Sequence, residues 1–202
     1  MIGKIRKGRS FGGCIRYVTQ KDDAKIIASE GVLLGTAEEM AQSFRWQCLL
    51  NPDVAKPVGH IALSFKPEDA PRLTDAFMTR LAGEYLELMG IRNTQFIVVR
   101  HHGTDNPHCH IVFNRVDFDG KVISDSNDFR RNERVTKMLK DKYSLTYSEG
   151  KQAVKTEKLH ASERVKYEIY RAVKEALRSA DTWKEFQNKL LKMGVEMEFK
   201  YK

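Results

Sequence analysis

The sequence predicts an α+β protein in which a central antiparallel sheet is flanked by helices. Two patterns indicate this class. Short apolar runs bounded by polar turn residues are typical of strands, and longer segments with an apolar residue every three to four positions are typical of amphipathic helices. The two kinds of segment alternate along the chain. Its 202 residues, 41% of them hydrophobic, are enough to bury one good core.

The first third of the chain predicts three strands and two helices. A basic strand over residues 1–8 is followed by a short helix over 10–20, where glycines precede regularly spaced apolar side chains. A strand over 25–34 comes next. Residues 36–39 have the capping-box pattern and apolar positions at helical spacing follow them, which predicts a second helix. The run over 60–65 is typical of a buried strand.

The middle of the chain combines one long helix with a pair of strands. Apolar residues at intervals of three to four over residues 69–89 predict an amphipathic helix that ends near Gly90. Apolar runs over 96–99 and 111–113 predict two strands that are joined by a polar loop. The loop and the ends of these two strands are the most informative part of the chain.

The remaining elements are a turn, two strands and three helices. Asp119 and Gly120 form a hairpin turn signal before a short strand over 121–123. The other predicted elements are helices over 127–143 and 165–177, a helix that begins with the capping box at Thr182, and a short strand over 195–199.

The composition predicts a cytosolic protein with an anionic partner. The chain has 35 Lys and Arg against 27 Asp and Glu, a net charge of +8, and nucleic acid is the first partner to consider. Three widely spaced cysteines without a CxxC pair predict reduced thiols. No apolar run is long enough to span a membrane, and the opening residues lack the apolar region of a signal peptide.

Four of the six histidines fall within ten residues, at the junction of the two central strands. Alternate side chains of a strand share a face, so His108 and His110 point the same way. A third imidazole from the preceding strand would complete a three-nitrogen metal site with positions open to substrate. Whether His101 or His102 faces the pair depends on a one-residue change of register, and periodicity favours neither.

The pattern around these histidines resembles the HUH motif of conjugative relaxases, the mobilisation nucleases that include the border endonuclease of the tumour-inducing plasmid. The family's usual form is H-x-D-x-x-x-P-H-x-H-x-x-x-N. The residues that match it are His101, Pro107, His108, His110 and Asn114. Gly103 stands where the family has its acid. The match favours His101 as the third metal ligand, with His102 as the alternative.

The resemblance includes two further motifs and covers about residues 1–145. Tyr17, which follows a glycine pair, matches the position of the family's catalytic tyrosine, and Ser64 matches a serine associated with DNA contact near the nick. The resemblance therefore implies an HUH relaxase core over residues 1–150. Residues 151–202 are expected to be a C-terminal helical extension of the same domain, truncated from a longer protein.

The implied activity is that of a DNA relaxase, which nicks one strand at the origin of transfer of a mobilisable element and forms a 5′-phosphotyrosine. The implied cofactor is a divalent metal, Mg²⁺ or Mn²⁺, which neutralises charge on the phosphate, while a tyrosine oxygen can form a covalent ester. The implied partners are single-stranded or supercoiled DNA at that origin, accessory mobilisation proteins and a coupling protein. The implied location is the bacterial cytoplasm, without membrane insertion.

Several other side chains are expected to support this chemistry. Those expected to contact DNA phosphates are Arg16 and Lys21 beside the tyrosine, the N-terminal Lys4, Arg6, Lys7 and Arg9, and Arg130, Arg131 and Arg134 of the basic helix. Asp105 is expected to bind or orient the metal, unless it is only a turn residue. Asn114 is expected to support the site through hydrogen bonds, unless it is an inward polar strand residue. His60 is predicted to be a structural histidine.

Three other functions are consistent with parts of the sequence. A replication-initiator HUH endonuclease shares the chemistry but lacks the motif context of Ser64. A metal-stabilised DNA-binding module without catalysis would not require Tyr17. A metallohydrolase for small molecules is disfavoured by the basic charge and by the missing general-base glutamate.

Overall fold

A computed structural model describes residues 1–147 and 161–198, apart from the side chains of residues 162 and 163. Five strands form one sheet in the order β1-β3-β5-β4-β2, and every neighbouring pair is antiparallel. The strands are β1 (Ile2–Gly8), β2 (Ala24–Glu30), β3 (Val58–Ser64), β4 (Phe96–His101) and β5 (His108–Asn114). Helices flank this sheet, which confirms the predicted α+β class.

Four helices accompany the sheet: α1 (Phe11–Thr19), α2 (Ala37–Cys48), α3 (Asp75–Leu88) and α4 (Asp128–Tyr143). The predicted capping box of α2 is present, because the Thr36 side chain accepts from the backbone of Glu39 and the Glu39 carboxylate accepts from the backbone of Thr36. Ser10 caps α1 in a similar way through the backbone N–H of Gly13. Local capping therefore explains where both helices begin.

Two predicted boundaries and one predicted strand differ markedly from the structure. The helix predicted from residue 69 begins only at Asp75, because Pro67–Arg72 forms a 3-10 helix that contains Pro71. The strand predicted to reach residue 34 ends at Glu30, where Gly31 adopts a left-handed φ of 63°. The strand predicted over 121–123 is reduced to one isolated bridge, between Val116 and Val122.

The two faces of the sheet carry different side chains. One face packs against α3 and α4 through a large apolar core. The opposite face packs against α1 and α2 through a second core that includes Val58, Ile97, Val99 and Val112. Because side chains alternate along a strand, the histidines at the other end of β4 and β5 share this second face. The second face is therefore apolar at one end and polar at the other.

The chain divides into two compact units, Met1–Ser148 and Glu149–Lys202. In the second unit, the two predicted helices are present as α5 (Ala161–Ser179) and α6 (Trp183–Lys192), and they pack together through a small apolar cluster. The strand predicted over 195–199 is wrong for residues 195–198, which have no regular structure, and residue 199 lies outside the described residues. The domain boundary near residue 150 stays a prediction. Across the described ranges, no helix is long and apolar enough to cross a membrane.

Candidate metal centre

Three histidines meet where β4 and β5 lie side by side. In the pairing of these strands, His101 is opposite His108 and Val99 is opposite His110. The side chains of His101, His108 and His110 therefore project from the same face. One ring nitrogen from each lies within 4.8 Å of the others. This cluster could hold a metal ion.

The register of the hairpin places His102 away from the cluster. His102 follows the last residue of β4, its side chain is exposed, and its Nε2 lies 3.9 Å from a carboxylate oxygen of Asp75. A shift of one residue in the register of β4 would exchange His101 and His102. The structure pairs His101 with His108, so His101 is the histidine that joins the cluster.

The outer nitrogens of two of the histidines bind backbone carbonyl oxygens. His101 Nε2 lies 2.8 Å from the oxygen of Val18, and His108 Nδ1 lies 3.0 Å from the oxygen of Asn106. A carbonyl oxygen only accepts, so both nitrogens carry the hydrogen and donate it. The opposite nitrogens then present lone pairs, and these two atoms, His101 Nδ1 and His108 Nε2, are 3.1 Å apart. Two facing lone pairs repel unless a cation lies near them, so the donor set fits a metal ion.

Burial keeps two of the imidazoles neutral. Desolvation, followed by the neighbouring histidines His60, His101 and His108, lowers the pKa of His110 to about 3. Desolvation also lowers the pKa of His108, although its hydrogen bond to the Asn106 carbonyl acts in the opposite direction. Neutral imidazole is the form that binds metals, so His108 and His110 are ready to bind one at neutral pH.

An acid lies next to Gly103, but it comes from a distant part of the chain. The carboxylate of Asp23, in the turn between α1 and β2, accepts the backbone N–H of Gly103, and this bond lowers the pKa of the carboxyl group. A Cβ atom added at Gly103 would lie 2.8 Å from Asp23 Oδ2. Asp23 thus occupies space that a side chain at position 103 would need. Asp105 is exposed and does not belong to the histidine cluster.

Tyr17 lies on α1 beside the histidines. Its side chain is 62% exposed, and its ring centroid is 5.7 Å from that of His110 and 6.0 Å from that of His60, edge-on in both cases. A groove of about 520 Å³ passes this point, lined by Tyr17, His60 and His110 and, along β1, by Lys4, Arg6 and Lys7. An accessible phenol therefore faces a basic groove at the edge of the metal centre.

The other residues expected to bind DNA lie at varied distances from this groove. Ser64 is opposite His108 in the pairing of β3 with β5, so it shares the histidine face. Arg16 and Lys21 are exposed, on α1 and just after it, and the charge of Lys21 contributes to the lowered pKa of both His108 and His110. Ser64 and Lys21 are thus positioned near the histidines, whereas the guanidinium of Arg16 lies next to Gly12 of the same helix, and none of the three lines the groove.

The arginines of α4 lie on the other side of the sheet. Asn132 of this helix donates to the backbone oxygen of Gly3, on the face that α3 also covers. Arg130 and Arg134 are exposed on this helix, and Arg131 is half-buried and donates to the oxygen of Ser124. The structure does not bring these arginines to the histidine centre.

Asn114 lies at the far end of β5 from His108. Its side chain is fully buried, donates to the carbonyl oxygen of Phe44 and accepts the backbone N–H of Val116. Asn114 is four positions beyond His110 along the strand, which corresponds to about 13 Å. The hydrogen bonds of Asn114 therefore connect α2 to the sheet, and Asn114 is not part of the histidine cluster.

The sequence matches the model of a known protein family. A model described as the nuclease domain of MobA/VirD2-like relaxases matches residues 17–145, well over half of the chain. The chain belongs to this relaxase family. The matched range starts at Tyr17 and includes all three clustered histidines, and membership implies a DNA-nicking enzyme whose substrate is DNA. No curated protein matches the relaxase sequence.

Proposed function

We propose that this relaxase nicks one DNA strand at the origin of transfer of a mobilisable element, with Tyr17 as the nucleophile. The observation that carries the proposal is the position of the Tyr17 ring, 5.7 Å from His110 and open to a basic groove. A buried tyrosine, such as Tyr85, cannot reach DNA, whereas the exposed phenol of Tyr17 can.

The proposed step is a transesterification. The Tyr17 oxygen forms a bond to the phosphorus of the scissile phosphodiester, and the bond from phosphorus to the 3′-oxygen breaks. The phenol loses its proton and the departing 3′-oxygen takes one up. The products are a 5′-phosphotyrosine and a free 3′-hydroxyl. Attack by a 3′-hydroxyl on the phosphotyrosine reverses the step, so strand joining requires no nucleotide cofactor.

His101, His108 and His110 would hold a divalent ion, for which we propose Mn²⁺ or Mg²⁺. Such an ion, when bound, supplies positive charge to the nonbridging oxygens of the phosphate. The hydrogen bonds to the Val18 and Asn106 carbonyls fix the orientation of His101 and His108. The protein thereby prepares the ligand geometry before DNA binds.

The groove along β1 supports a path for the DNA strand. Lys4 and Arg6 alternate with inward residues of β1, and Arg6 is opposite His60 while Lys4 is opposite Ala62. Lys7 also lines the groove, but its ammonium group is paired with Asp125 and Asp128. We therefore assign phosphate contacts to Lys4 and Arg6, with Ser64 closer to the histidines. The proposal includes accessory mobilisation proteins and a coupling protein as partners.

The proposal is tested with a supercoiled plasmid that carries the cognate origin, incubated with the protein and Mn²⁺. We expect relaxed plasmid and a covalent protein–DNA adduct that survives denaturation. Tyr17→Phe should lose both products. Tyr147→Phe, at another exposed tyrosine, is the matched control and should retain them.

Each alternative gives a different result in the same assay. Nicking by Tyr17→Phe at the wild-type rate would show that another group is the nucleophile. Nicking that persists after chelation would remove the proposed role of the metal. Plasmid binding without any nick in the wild-type protein would favour a DNA-binding module without catalysis.

A further inference from the structure

His60 lies within hydrogen-bonding distance of His110, although it is not one of the three clustered histidines. It lies on β3, and its Nε2 is 2.9 Å from Nδ1 of His110. The two rings are 5.0 Å apart between centroids and tilted by 36°. The group of residues that could hold a metal contains His110 but not His60. His60 therefore contacts the outer side of one ligand.

The contact between His60 and His110 is comparable to the hydrogen bonds that His101 and His108 make with backbone carbonyls. His101 and His108 each direct their outer nitrogen at a backbone carbonyl, which accepts a hydrogen and leaves the inner nitrogen free. His110 directs Nδ1 at His60. Nε2 of His60 can donate or accept a hydrogen bond, unlike a carbonyl oxygen. The tautomer of His110 therefore depends on the tautomer of His60.

We propose that His60 is a positioning residue that accepts the Nδ1 hydrogen of His110 and thereby presents Nε2 of His110 to the metal. The inference rests on the proposed metal-dependent function. In this arrangement His60 carries its own hydrogen on Nδ1. Outer-shell acceptors of this kind fix ring orientation and raise the basicity of a ligand.

The surroundings of His60 determine which variants test the proposal. Its ring also lies edge-on to Tyr17, with centroids 6.0 Å apart, so a small residue would remove packing as well as the acceptor. His60→Phe keeps a ring and removes the acceptor. His60→Gln keeps an acceptor in its side-chain oxygen. His102→Phe is the matched control, because His102 is an exposed histidine outside the cluster.

The first measurement is Mn²⁺ affinity by calorimetry on the full chain. We expect His60→Phe to bind Mn²⁺ about 10- to 100-fold more weakly than wild type. His60→Gln should recover most of that loss, and His102→Phe should bind as wild type does. Equal Mn²⁺ affinity in wild type and a folded His60→Phe would overturn the proposal.

The second measurement is the ¹⁵N NMR signature of the His110 ring in the metal-free protein. The proposal requires the hydrogen on Nδ1 in wild type and a shift of population toward the Nε2 form in His60→Phe. A hydrogen on Nε2 of His110 in wild type would overturn it. The signature is read without metal or DNA, so it decides the role of His60 even if Mn²⁺ binding or nicking by the wild-type protein fails.

Discussion

The ring of His101 is bonded to the helix that carries the proposed nucleophile, because His101 Nε2 lies 2.8 Å from the carbonyl oxygen of Val18, the neighbour of Tyr17. The last four carbonyls of a helix have no partner within the helix, and Val18 belongs to the final turn of α1. His101 satisfies one of these carbonyls with one nitrogen, and its other nitrogen faces the cluster that we propose holds a metal ion. One hydrogen bond of His101 thus connects the proposed metal site directly to the helix that carries Tyr17.

Replacing His101 should affect both metal binding and stability. We expect His101→Ala to lose Mn²⁺ binding in calorimetry, and to lower the free energy of unfolding by about 2 kcal/mol, because the buried Val18 carbonyl loses its donor. Urea denaturation measures the second effect. His102→Ala should change the free energy of unfolding by less than about 0.5 kcal/mol and leave Mn²⁺ binding intact. Full Mn²⁺ affinity in His101→Ala would refute the assignment of this ligand.

Much of this centre could be predicted from the sequence because its main parts are local. His108 and His110 alternate on one strand, and the preceding strand is only seven residues from the pair, so period and loop length bring one of its histidines to them. The choice of His101 over His102 required the resemblance to the family motif. The sequence does not indicate that Asp23 belongs to the site, and it predicts only a structural role for His60. Their contacts join positions that are 80 and 50 residues apart, and no local pattern carries such pairings.

The arginines of α4 illustrate a second limit. A basic helix predicts an exposed charged surface, but it does not indicate which face of the sheet the helix covers. The contact between Asn132 and Gly3 places α4 on the face opposite to the histidines. Tertiary packing determines which face α4 covers, because apolar residues of α4 pack into the same core as those of α3.

Substitutions at Asp23 and at Gly103 should have coupled effects on stability. Gly103→Asp, which restores the acid of the family motif, introduces a Cβ atom 2.8 Å from Asp23 Oδ2 and places a second negative charge beside it. We expect this variant to have a melting temperature a few degrees below wild type. Combining it with Asp23→Ala should recover most of the loss, as measured by thermal unfolding. Additive effects of the two substitutions would show that the side chains do not compete for this space.

The metal-free protein should become less stable as the pH falls from 7 to 5. The pKa of His110 is lowered from 6.5 to about 3 in the folded protein, mainly by burial. Below about pH 6.5 the unfolded chain binds a proton at this residue that the folded chain excludes, so stability present above pH 6.5 is lost progressively towards pH 3. Burial lowers the pKa of His60 and His108 in the same direction.

The measurement is the free energy of unfolding in urea at pH 7 and pH 5, with a chelator present. The free energy of unfolding of wild type should be lower at pH 5 than at pH 7. A folded His110→Gln should show a smaller decrease, because it lacks the imidazole with the lowered pKa. Equal stability of wild type at both pH values would contradict the prediction.

Asn114 should stabilise the fold without influencing the metal. Its amide accepts the Val116 N–H and donates to the Phe44 carbonyl, and both partners would lose a bond in Asn114→Leu. We expect this substitution to lower the free energy of unfolding by roughly 2–4 kcal/mol in urea, whereas the Mn²⁺ affinity of the folded fraction stays that of wild type. His110→Ala is the reciprocal variant and should lose Mn²⁺ binding. A large drop in Mn²⁺ affinity in folded Asn114→Leu would instead mean that Asn114 acts on the metal centre through the length of β5.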